Sequence, residues 1–211
     1  MAVIHRTTMS PTKLELLTAW LPTRPWYRDS DRTPELTKAG GFRLDDPTGA
    51  VGIEFMLVTD GAGPEARTYH LPLTYRGAPL DGADEALIGT SIHGILGQRW
   101  IYDGTRDPVA VAQIVALLTG RARPQAQSES DTPDPSVIVT VGELADTASE
   151  LVSTTDGPSY TDIAVQGGAI AVLRHVLNTA DAPDAANARV SVPWQLGDGS
   201  TARAVVLAMG A

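Results

Sequence analysis

Apolar and polar positions change their period twice along the chain. Near the start, Leu14, Leu17, Trp20 and Leu21 recur at helical spacing with Leu16 beside them, which predicts a first helix. Ser10-Pro11 reads as its N-cap followed by proline at the first helical position, and Pro22 ends it. His5 to Thr8 reads as a short edge strand. From Gly40 the period becomes two. Residues 41–45, 51–59 and 67–75 have the β-branched and aromatic content of an antiparallel meander. Its turns are Asp46-Pro47-Thr48-Gly49 and Asp60-Gly61-Ala62-Gly63. Residues 86–89 and 99–103 are shorter extended pieces on either side of His93-Gly94. Helical spacing returns after Asp107-Pro108, where Val111, Ile114, Val115 and Leu118 make one face and Gly120 is the expected C-cap.

Residues 121–135 have no apolar period and are rich in Pro, Ser and Asp, which predicts a flexible linker. Beyond it, residues 137–141, 160–166, 169–177, 189–196 and 202–209 read as strands. Residues 143–152 are ambiguous between a helix and a frayed strand, and residues 179–188 form a second loop. Two glycines, Gly167-Gly168, separate the alternating runs at 160–166 and 169–177, a strong hairpin signal because a tight hairpin turn needs positive φ. The predicted fold is α+β. An antiparallel sheet with two covering helices fills residues 1–120, and a mostly antiparallel β region fills 136–211.

Composition narrows the function classes. The net charge of −9 argues against a nucleic-acid partner or an anionic membrane surface, since both need a basic face. The absence of Cys excludes disulfides, thiolate metal sites and a Cys nucleophile within these 211 residues. The four histidines (His5, His70, His93 and His175) share no ligand spacing, so no metal site is expected. No apolar run approaches a membrane span and residues 1–8 lack the apolar core of a signal peptide, so a cytoplasmic protein is expected.

Several stretches together resemble one family. TKLELLTAWLPTRPWY (12–27), HLPLTYRGAPL (70–80) and ALIGTSIHGILGQRWIYDGTRDPVAVAQIVALLTG (86–120) are similar to the opening, central strand and closing segment of the N-terminal cap of actinobacterial maltokinases. SYTDIAVQGGAIAVLRHVL (159–177) resembles a degenerate form of the kinase small-lobe hairpin. Tyr160 stands where that family has Asn, and its nucleotide lysine falls near Val172. VSVPWQLGDGSTARAVVLAMG (190–210) resembles the last strands before the kinase hinge. The likeness implies a cap-plus-small-lobe protein associated with trehalose, maltose and glycogen metabolism. It carries over no catalytic residue, because the family's catalytic lobe has no counterpart in these 211 residues.

The residues themselves say the same about phosphoryl transfer, which needs a phosphate cradle, a positioned cation and a base. Lys13 and Lys38 are the only lysines. Asp156-Gly157-Pro158-Ser159 has one glycine, and its proline removes a donor. Ser159, Val172 and Arg174 therefore mark a degenerate nucleotide site, and no cofactor is expected. Asp45-Asp46 reads as turn residues, and Ser91 with His93 as local hydroxyl bonding. Trp and Tyr beside Arg are the remaining candidates for a ligand or partner surface: Arg24, Trp26, Tyr27, Arg28, Tyr75, Arg76, Trp100 and Tyr102. The chain is thus expected to be a non-catalytic interaction or regulatory protein that binds a protein partner or itself. The alternatives are a sugar- or maltodextrin-binding module and an unconventional kinase subunit using ATP.

Overall fold

A computed structural model describes residues 7–28, 31–143, 150–175 and 186–210. His5, residues 144–149 of the ambiguous stretch, the hairpin's expected end at Leu177 and most of the second loop lie outside them. After a two-residue strand β1 (Met9–Ser10), helix α1 spans Lys13–Trp20. Its cap is Thr12 and not Ser10, which is paired in β1. The Thr12 hydroxyl accepts from Glu15 N while the Glu15 carboxylate accepts from Thr12 N, a reciprocal capping box that satisfies two helix-end donors.

Strands β2 (Leu36–Asp45), β3 (Gly52–Asp60) and β4 (Arg67–Arg76) form the predicted meander, and β5 (Leu87–His93) and β6 (Gly97–Asp103) add a hairpin. The order across this first sheet is β1-β5-β6-β4-β3-β2, with every pair antiparallel. At the β2–β3 turn, Asp46 accepts from Thr48, Ala50 and Val51, which closes the turn locally. Helix α2 (Pro108–Leu118) follows, capped by Asp107 through Val109 N and ended at Gly120, whose φ of 75° suits glycine.

A second six-stranded antiparallel sheet has the order β7-β11-β12-β10-β9-β8. Its strands are β7 (Ile138–Thr140), β8 (Leu151–Asp156), β9 (Tyr160–Val165), β10 (Gly168–Leu173), β11 (Ala188–Gln195) and β12 (Thr201–Gly210). The β9–β10 turn is one residue earlier than expected. Val165 pairs with Gly168, so Gln166-Gly167 makes the turn, and only Gly167 needs its φ of 91°.

The molecule is therefore mostly antiparallel β with two short helices, which pack on different sides of the first sheet. Alternation along β3 shows why. Met56 and Val58 pack with Leu17 and Trp20 of α1 and with Leu21 just after it, whereas Ile53, Phe55 and Leu57 pack with α2 and with the second sheet. The helices lie against opposite faces, so β3 is buried on both sides and reads as the unbroken run IEFMLV. One core cluster extends from Phe42 and Phe55 through Ile114 to Val190 and Val206. Residues 121–135 carry their own bonds: Arg43 and Gln125 exchange backbone hydrogen bonds at 2.9 Å, and Gln127 donates to Glu54 at 3.0 Å.

Candidate functional site

Strand β4 pairs with β6 only from Leu73 to Arg76, and the residues just after β10, Arg174 and His175, lie along its edge before Leu73. His70 N donates to Arg174 O at 2.9 Å, and Tyr69 bridges His175. The chain leaving β10 thus runs on along the edge of the first sheet. Arg174 is 0% exposed there. Its Nη2 donates to Asp103 Oδ2 at 2.6 Å and Thr105 Oγ1 at 3.0 Å, its Nε donates to Thr161 Oγ1 at 2.7 Å, and its guanidinium lies 4.8 Å from the Trp26 ring. A buried guanidinium needs a counter-ion and donors' partners to offset lost hydration; β6, β9 and the segment after β6 supply them to Nε and Nη2, while Nη1 is buried without a hydrogen-bond partner among the described residues.

The neighbouring groups extend this junction. The Thr161 hydroxyl donates to Asp156, which also pairs with Arg106 at 3.0 Å, and the Thr154 hydroxyl donates to Thr105 O. Burial pushes the Asp156 carboxyl up, but the Thr161 hydroxyl and the Arg174 and Arg106 charges outweigh it and hold the group below its usual range. His175 Nε2 meets Trp26 O, and its ring lies edge-on to Tyr69. His70 Nδ1 contacts Leu173 O at 3.1 Å. Burial, then the Arg174 charge, push His70 down to about 3, so the ring is neutral.

The expected nucleotide-site residues are all parts of this junction or its flank. Val172 is fully buried among apolar neighbours. Ser159 uses its carbonyl to accept from Arg174 N at 2.9 Å. Gly157 N, the one flexible donor of the expected cradle, is bonded to Tyr160 O at 2.8 Å. The Ser159 carbonyl holds the Asp156–Ser159 turn to the Arg174 backbone, and the Arg174 side chain is directed to Asp103, Thr105 and Thr161.

The aromatic and arginine candidates are not gathered on one surface. Trp26, Tyr27 and Tyr102 are buried. The Tyr27 hydroxyl donates to Asp60 at 2.7 Å; burial first, then that bond, push its pKa well above the usual phenol range. Tyr102 OH accepts from Leu80 N. Arg76 makes a two-point pair with Asp107, 2.7 and 2.6 Å, which ties β4 to the cap of α2. Tyr75 donates to the buried Glu54 at 2.6 Å. Arg24 lies over the Trp20 ring at 5.0 Å, Trp100 is half-buried opposite Arg76, and Arg28 is exposed with a 3.5 Å contact to Pro158 O.

Sequence reasoning passed over Asp103, Thr161 and Glu54. Glu54 carried a usable signal, since a carboxylate inside the apolar run IEFMLV must be buried and partnered. Two clefts open on the surface. One of about 500 Å³ is lined by the turn at residues 82–86, Arg106 and β8. The other, of about 370 Å³, is lined by Lys13, Lys38, Thr12, Met9, Leu14 and Met56 among others. Neither is lined by a candidate aromatic residue. Among the described residues, no group of acidic and histidine side chains is placed to hold a metal, and no helix is long and apolar enough to cross a membrane.

Residues 20–107 match the family model of the maltokinase N-terminal cap domain. The match runs from the end of α1 to the cap of α2 and takes in β2 to β6, all of the first sheet except β1. It spans less than half of the chain. A comparison with curated proteins returns no match.

Proposed function

Starting from a chain that carries a maltokinase N-terminal cap-like domain at residues 20–107, we propose that it is a non-catalytic interaction or regulatory protein. In this reading a cap-like unit (1–120) and a small-lobe-like unit (136–211), joined through 121–135, form a scaffold that binds a protein partner or a second copy. Its setting is trehalose, maltose or glycogen metabolism. The observation that carries the reading is the fate of Arg174. A phosphate-binding strand must present a cation, yet here the strand's one cation is fully buried and neutralised by Asp103, and Val172 is apolar core.

The interaction half of the reading rests on the β5–β6 hairpin tip. Ile92, Ile95 and Leu96 are 57%, 60% and 45% exposed, an apolar cluster at the end of a projecting hairpin. Sedimentation of the purified chain, with affinity capture from the source cell repeated using Ile95→Asp/Leu96→Asp, tests it. A self-associated species or a captured partner that the double variant loses supports the proposal. A monomer that captures nothing refutes it.

A further inference from the structure

The second cleft lies on the α1 face of the first sheet, away from the Arg174 junction, and brings together both lysines of the chain. Lys13, in the first turn of α1, donates to Glu54 Oε2 at 2.6 Å and sits 5.1 Å from the Tyr75 ring centroid. Glu54 is almost fully buried and already accepts two further bonds: Tyr75 OH donates to Oε2 at 2.6 Å and Gln127 to Oε1 at 3.0 Å. Burial pushes Glu54 up, but the Lys13 charge and hydrogen bond outweigh it, so the carboxylate stays ionised and is spent on Lys13.

Lys38, on β2, has no carboxylate within ion-pair distance and makes no side-chain hydrogen bond among the described residues. Lys38 is exposed as a residue, but partial desolvation by the cleft wall pushes its pKa down, opposed by the Glu54 charge and reinforced by Lys13. The two ammonium groups and one carboxylate leave a positive surplus in the cleft. An ammonium has three donors, so Lys13 also keeps capacity beyond its bond to Glu54.

The other walls are Met9, Leu14 and Met56, which offer an apolar, adaptable surface. About 370 Å³ is at the small end of ligand-binding clefts. The rest of the molecule is strongly acidic, with a net charge of −9. That field repels an acidic macromolecule spread over many ångströms, whereas a small anion inside the cleft feels chiefly the local lysines, since screening sets in within about 8 Å.

We propose that the Lys13–Lys38 cleft is a binding site for a small amphipathic anion, a carboxylate with a short apolar body. The carboxylate lies between the two ammonium groups and the apolar body against Met9, Leu14 and Met56. This goes beyond the interaction reading and stands on different residues.

The chain's two lysines make the test direct. Reductive ¹³C-methylation of the whole protein leaves the amines cationic and gives two lysine signals, assigned with Lys38→Arg. Titration with hexanoate should shift both signals saturably, and calorimetry should show affinity falling about tenfold in Lys38→Gln. Hexanol, with the apolar body but no charge, and inorganic phosphate, with charge but no apolar body, should each bind at least about tenfold more weakly. No saturable shift by hexanoate, an equal response to hexanol or phosphate, or unchanged affinity in Lys38→Gln would overturn the proposal. Thermal melts of both variants check that the fold persists, and the hexanoate–hexanol comparison needs no variant.

Discussion

Removing the Asp103 carboxylate should strand a full positive charge inside the protein. Arg174 has no exposed surface, and Asp103 is its one anionic hydrogen-bond partner, at 2.6 Å. The Thr161 and Thr105 hydroxyls can accept from the guanidinium but cannot neutralise it. Breaking one side of such a buried pair costs about 3–5 kcal/mol. Asp103→Ala also removes the acceptor for Thr105 N and Oγ1, so the upper half of that range is expected. For a chain of this size the corresponding loss in melting temperature is on the order of 8–20 °C.

Replacing both partners, Asp103→Ala with Arg174→Met, removes the stranded charge and should recover a large part of that loss, because apolar substitutes for buried pairs are often close to neutral. Urea unfolding followed by circular dichroism measures all three proteins. A single-variant loss under about 1 kcal/mol, or a double variant no better than Asp103→Ala, would refute the description of Arg174 as an interior tie.

Three further outcomes follow from the same packing. Val172→Lys, at the position where the sequence likeness alone would put a nucleotide lysine, should destabilise the fold by on the order of 3–5 kcal/mol by urea unfolding, since it places an ammonium in the apolar core. His70 is held neutral with its pKa near 3 against 6.5 unfolded. The unfolded chain therefore binds the extra proton as pH falls from 6.5. His70's contribution is full above 6.5 and lost toward 3, at about 1.4 kcal/mol per pH unit, and His70→Gln should flatten that slope in unfolding curves between pH 6.5 and 5. Gly41→Ala should cost at least about 2 kcal/mol in the same assay, because φ is 134° and the added methyl would meet Phe55 O and the Gln127 side chain.

Much of the fold was legible because local chemistry decided it. β3 and β4 follow from β-branched and aromatic content between clear turn signals, and α2 follows from a cap and proline that have no rival nearby. α1's cap was misplaced because two candidates stand two residues apart; Thr12 wins through Glu15, while Ser10 is drawn into β1. β8 was missed because LVSTTD has little apolar alternation, and what makes it a strand is its pairing with β9. The site was less legible for the same reason at longer range. Nothing local shows that Arg174 will turn inward, since its counter-ion is 71 positions away. Arg24 to Arg28 were expected on a ligand or partner surface, but Trp26 is a buried ring against Arg174.

The non-catalytic reading is tested most directly by calorimetric titration of the purified chain with Mg²⁺-ATP. The account predicts no saturable heat into the millimolar range and no competition by ADP. Saturable binding that Arg174→Ala abolishes while the fold persists would contradict it, because Arg174 would then be reaching phosphate rather than Asp103.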